Sequence, residues 1–103
     1  MEVEVINLSS ISVANGQWAL REIPFDAAKL MLVTQYGDKL WYIDIDGVTD
    51  SELMEWLANS EDIRITFDAV SESGQRLSGT AYAHPNMAHR ALAIRGEGEL
   101  RQL

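Results

Sequence analysis

Two tight reversals, each set between runs of alternating apolar and polar residues, constrain this chain more than any other feature. In ISVANGQWAL, residues 11–20, the pair Asn15-Gly16 separates two such runs. Asn-Gly favours a type I′ turn, because both central residues must take positive φ. A two-residue turn there pairs Val13 with Trp18 and Ile11 with Leu20, placing all four apolar side chains on one face. A second hairpin reads KLMLVTQYGDKLWYIDID, residues 29–46, with a Gly-first turn expected at Gly37-Asp38. Leu32 then faces Ile43, Thr34 faces Trp41, and Leu30 faces Ile45. The other face carries Met31, Val33, Leu40 and Tyr42. With both faces apolar, this pair is expected to be central and covered on one side by a helix or a second sheet. Strands joined so tightly are antiparallel, since a parallel pair needs a crossover of about a dozen residues or more.

One helix is expected, at 50–59. Thr49 is read as its N-cap, Glu52 as completing a capping box, and Val48 with Leu53 as a hydrophobic staple. Leu53, Trp56 and Leu57 form the stripe to be buried, and Asn59 marks the stop. Beyond it, DIRITFDAV alternates, with Ile63, Ile65 and Phe67 inward. RLSGTAYAH and HRALAIRGEGEL follow as further strands. Gly79 is expected to mark a bulge or a close backbone approach, and Gly96 and Gly98 a bend that crosses a helix or closes a barrel. The last strand, rich in small residues, is the expected free edge. The fold class is α+β, mainly β. Antiparallel hairpins, about seven strands in all, form a twisted sheet or small barrel, with the helix packed on it or plugging its end. Residues 1–103 make a single domain.

Charge limits the partners. The formal net charge is −8, and residues 38–72 hold ten acids against Lys39 and Arg64. Phosphate binding needs clustered Lys and Arg, so neither direct nucleic-acid binding nor membrane binding is expected. The chain has no cysteine, which removes disulfides, thiolate metal sites and cysteine nucleophiles and suits a cytoplasmic location. Residues 1–8, MEVEVINL, read neither as a signal peptide nor as the start of a membrane span.

One motif invites a catalytic reading. In WYIDIDGVTD, residues 41–50, an apolar strand runs into Asp44-Ile45-Asp46-Gly47-Val48. This resembles the first motif of the haloacid-dehalogenase-like phosphatases, and the resemblance implies Asp44 as nucleophile and Asp46 as acid and base. It is confined to these residues. That family needs a parallel central strand, a downstream Lys and later Asp residues, whereas here the strand is antiparallel, Lys39 is the last lysine and Asp68 the last aspartate. The stretch also approaches a calcium loop, with Asp44, Asp46, Asp50, Glu52 and Glu55 at the first, third, seventh, ninth and twelfth positions. Val48 and Thr49 fall where an EF-hand needs a ligand and a glycine. The structural reading accounts for every residue: the strand exits, Gly47 turns the chain, and Thr49 caps the helix. Asp44, Asp46 and Asp50 stay weak metal candidates.

The two histidines lie in AHPNMAHR, residues 83–90. A four-residue loop over Pro85–Ala88 would make His84 and His89 cross-strand neighbours, able to share a metal if a carboxylate joined them. Pro85 and Met87 at that tip suit a contact loop, as do the acids Asp50, Glu52 and Glu55 on the helix. No nucleophile elbow and no phosphate-cradling glycine motif is present. The expected function is that of a small acidic interaction module, non-catalytic and without a cofactor. It would bind another protein, a homo-oligomer being one form of this. An acidic inhibitor or DNA mimic of phage or mobile-element type is one alternative. A small-ligand or metal binder near His84 and His89 is the other.

Overall fold

The computed structural model describes residues 1–16 and 18–103, and the side chains of all of these except Trp18 and Ala19. Among the described residues, seven strands and one α-helix follow in the order β1 (Glu2–Asn15), β2 (Trp18–Glu22), β3 (Ala27–Gln35), β4 (Asp38–Asp46), α1 (Ser51–Asn59), β5 (Arg64–Ser71), β6 (Arg76–Asn86) and β7 (Ala91–Gln102). Every ladder is antiparallel. Six strands close into a barrel in the order β1-β3-β4-β7-β6-β5, and β2 is an extra strand beside β1. The expected mainly-β architecture is therefore present, in its closed form.

Closure depends on the length of β1. Its first half, Glu2–Asn7, pairs with β3, and its second half, Leu8–Ala14, pairs with β5. A bulge between Leu8 and Ser10 joins the two halves and bends the strand between its two neighbours. Alternation then sorts the side chains. Ile11, Val13, Leu30, Ile43, Ile45, Ile65, Phe67, Leu77, Ala81, Leu92 and Ile94 point inward and are fully buried in one core.

Both predicted hairpins form, each with a different register. Asn15 pairs with Trp18 and Val13 with Arg21, one residue being bulged between them. The reversal therefore lies between Asn15 and Trp18, and Gln17 lies outside the described residues. The bulge removes Leu20 from the face of Ile11 and Val13, and Leu20 is exposed. The expected core role of Trp18 likewise falls outside the described side chains. In the second hairpin Gln35 pairs with Asp38, so the turn is Tyr36-Gly37, and both take positive φ, +51° and +85°. A type I′ turn replaces the expected Gly-first turn and shifts the ladder by two residues. Leu32 faces Trp41, Leu30 faces Ile43, and Ala28 faces Ile45. A shift of two preserves the faces, which is why the core is as expected although the partners are not.

The helix closes one end of the barrel. It joins the last residues of β4 to the first of β5, and Leu53, Met54 and Leu57 enter the barrel core, with Trp56 half-buried against it. Its N-cap is Asp50, not Thr49: the Asp50 side chain accepts the Leu53 N–H at 3.1 Å. The shift of one residue dissolves the expected capping box and staple. Asp50 can do more than Thr49 at this point, because Arg21 of β2 grips its carboxylate with Nε at 2.7 Å and Nη2 at 2.8 Å. Glu52 reaches the same guanidinium at 3.4 Å. Desolvation lowers the Arg21 pKa, but the hydrogen bond and charge of Asp50, followed by those of Glu52, raise it overall.

Trp41 fills the barrel interior toward the other end. Its ring lies 5.3 Å from that of Phe67, and its Nε1 donates to the Gly98 carbonyl at 3.0 Å. A Cβ on Gly96 would fall inside the indole, and one on Gly79 would come within 3.1 Å of it. The close approach expected at Gly79 is thus made by Trp41. Gly98 takes φ +71°, and β7 changes register against β6 opposite Gly79, giving the bend expected of its glycines.

Candidate functional site

The second apolar face of β3 and β4, expected to lie under a helix or sheet, is uncovered. The helix cannot reach it, because its buried stripe is spent on the end of the barrel. Inward positions of β3 and β4 supply the core, so the intervening positions point outward. Two rows cross three strands there: Val5-Met31-Tyr42 and Val3-Val33-Leu40, each member directly opposite the next. Val3, Val5, Leu40 and Tyr42 are 50%, 48%, 62% and 37% exposed, and Met31 and Val33 are half-buried between them. Polar pairs bound the rows on both sides, Lys29 opposite Asp44 and Gln35 opposite Asp38. An apolar centre with a polar rim is the usual anatomy of a protein–protein contact. Sequence reasoning found the β3 and β4 members of this patch but assigned them to a covered face. It missed Val3 and Val5, although the alternation of Glu2-Val3-Glu4-Val5 signals a strand.

Beside this patch the sheet has a free edge. Residues Glu2–Asn7 of β1 pair with β3 on one side. On the other side the ladder with β5 starts at Leu8, and the last bond along it runs from Glu72 N–H to the Asn7 carbonyl at 2.9 Å. The chain turns away at that point. Ser71, buried, holds the turn through its Oγ, which meets Ser73 Oγ at 2.9 Å and accepts the Gln75 N–H at 3.0 Å. Glu2–Ile6 thus carry no strand on that side among the described residues. Their inward side is hollow, a space of about 430 Å³ lined by Glu2, Val3, Glu4, Leu32 and Thr34.

A second gap separates β4 from β7. Their ladder ends at Tyr42 and Arg95, and a cleft of about 640 Å³ lies between Asp38–Trp41 and the bent end of β7, with Leu32, Leu40, Trp41 and Leu100 among its lining. The last strand, expected to be the free edge, instead lies between β4 and β6; only its bent end beyond Arg95 is unpaired with β4, and there the Trp41 indole spans the gap through the bond to Gly98.

The sequence-predicted site residues are scattered. Asp44 and Asp46 point outward on β4, Asp44 opposite Lys29 and Asp46 opposite Ala27. Asp50 is committed to the helix cap and to Arg21. Strand β6 runs on through Pro85 and Asn86, so His84 pairs with Ala93 and not with His89, which sits in a 3₁₀ turn at Met87–His89. Among the described residues no group of three or more His, Cys, Asp or Glu is placed to hold a metal. Pro85, half-buried, pairs with Leu92, while Met87 is exposed. A hollow of about 320 Å³ beside Met87 is lined by Val48, Thr49, Ser51, Met54 and Arg90, and neither histidine enters it. Glu52 and Glu55 are exposed on α1.

The ten central acids are spread around the molecule. Asp44 and Asp46 lie on β4, Glu52 and Glu55 on the helix at the barrel end, and Asp68 on β5, three strands round the wall from β4. An acidic mimic of nucleic acid would need its carboxylates gathered on one face. No helix among the described residues is long and apolar enough to cross a membrane. No protein-family model, curated protein or solved structure matches the chain.

Proposed function

We propose that this chain is a non-catalytic interaction module that binds another protein through the outer face of β1, β3 and β4. The observation that carries the reading is the pair of exposed apolar rows, Val5-Met31-Tyr42 and Val3-Val33-Leu40. Uncovered apolar side chains gain about 25 cal/mol for each Å² removed from water, so a contiguous set of them favours a partner. The polar rim supplies register and selectivity. A second copy of the chain is one form such a partner could take.

The test compares the protein with a Val33→Lys/Leu40→Lys variant. Both positions point outward, so the variant should stay folded, with a melting temperature lowered by a few degrees at most by the two lysines set opposite each other. Extract from the source cell is passed over each immobilised protein, and sedimentation velocity is run over a wide concentration range. A protein retained by the original chain and lost by the variant, or a dimer lost by the variant, supports the reading. Identical retained sets together with a monomer throughout would overturn it.

A further inference from the structure

We infer that the free edge of β1 receives an extended strand of the partner, one with Lys or Arg at alternate positions and apolar residues between them. This deepens the interaction reading and rests on it.

In an antiparallel ladder, the N–H and C=O of successive residues point alternately to the two neighbouring strands. The Asn7 carbonyl accepts from Glu72 across the β5 side, so the backbone groups of Val5 and Val3 face that same side. There the β5 ladder has already ended, and both residues are exposed. Four main-chain groups are thus aligned for an added strand, as in strand-addition recognition.

The side chains then select the occupant. Val3 and Val5 point outward, and an added strand with apolar residues beside them would extend the apolar rows by one strand. Glu2 and Glu4 alternate with them on the other face, opposite Thr34 and Leu32, and line the hollow. An incoming residue opposite either glutamate has room there and meets a carboxylate, so a cation is favoured and an acid disfavoured. The overall charge of −8 steers such a cationic segment toward the molecule.

The same charges argue against a second copy at this edge. Two β1 strands related by a two-fold axis must pair residues of the same face. Centring on Val3 sets Glu2 opposite Glu4 of the partner copy, and centring on Glu4 sets Glu4 opposite itself. Centring on Val5 sets Glu2 opposite Leu8, which is already engaged with Ser71 of β5. Inward-pointing charge is a common protection of a strand edge against self-pairing. The β4–β7 gap is the weaker site, since Trp41 already spans it.

Two synthetic peptides test this, one alternating Lys and Val and the other alternating Glu and Val, titrated into labelled protein and followed by amide shifts and hydrogen exchange. The Lys-Val peptide should shift and protect the Val3 and Val5 amides, bind more weakly as salt is added, and be preferred on the order of tenfold. A Glu2→Lys/Glu4→Lys variant, altered only at exposed positions, should reverse the preference. Equal binding of both peptides, a preference unchanged in the variant, or protection confined to Asp38–Trp41 and Gly96–Gln102 would overturn the inference. Failure here alongside partner loss in the Val33→Lys/Leu40→Lys variant would sink the edge while leaving the interaction reading in place.

Discussion

Gly47 has no room for a side chain and a backbone that few other residues adopt. Its φ is +71°, and a Cβ would land on the Asp26 side chain as far back as its Cβ, which the Asp26 N–H anchors by donating to the Asp46 carbonyl at 2.9 Å. Gly47→Ala should therefore cost about 1–3 kcal/mol in chemical denaturation. Gly16→Ala, with nothing within 4 Å of the added carbon, should stay within about 0.5 kcal/mol of the original. The glycine of the Asp-x-Asp-Gly motif is thus needed for the exit from β4 into the helix. Asp50 belongs to the same corner. Asp50→Ala should cost about 0.5–2 kcal/mol through the lost cap, while Thr49→Ala, at an exposed position, should be close to silent in the same measurement. Sequence reasoning placed the helix correctly but chose its neighbour as the cap. Thr and Asp are both good N-caps, and the Arg21 guanidinium that holds the Asp50 carboxylate comes from β2, a distant contact that local sequence does not show.

At the level of elements, the helix and the inner wall form one core. Leu53→Ala should destabilise by about 2–5 kcal/mol, because Leu53 is buried among barrel side chains. Trp41→Phe keeps a ring against Gly96 and Phe67 but loses the bond to Gly98, and about 0.5–1.5 kcal/mol should follow. Strand positions and antiparallel pairing were readable because period-two alternation is strong in YIDID and RITFDAV and because tight reversals separate the runs. The registers were less so. Tyr36 in a positive-φ turn position and the bulge before Asn15 are choices that local sequence leaves open. The interaction face was hidden for a different reason. When both sets of alternating residues are apolar, sequence cannot say which one the core takes or whether anything covers the other. That depends on where the helix lands, and here it lands on the barrel end.

On the scale of the molecule, one continuous core implies one cooperative transition, with fluorescence and far-UV circular dichroism melting together. The charge of −8 sits on a small barrel, and self-repulsion should be relieved by screening. Moderate sodium chloride is accordingly expected to raise the melting temperature, and a fall would mean that the Arg21–Asp50–Glu52 cluster outweighs the general repulsion. The free edge lies on β1 and not on the last strand where it was expected, since an unpaired strand is a property of the closed assembly. The ladder that completes the circle joins residues 8–14 to residues 66–71, so β1 must wait for β5 to be made. Refolding should be correspondingly slow, in the millisecond-to-second range of proteins dominated by distant contacts. During that interval the first strand is a hairpin arm with an unclaimed side along its whole length, and a chaperone or an intended binding partner could meet it there before β5 does.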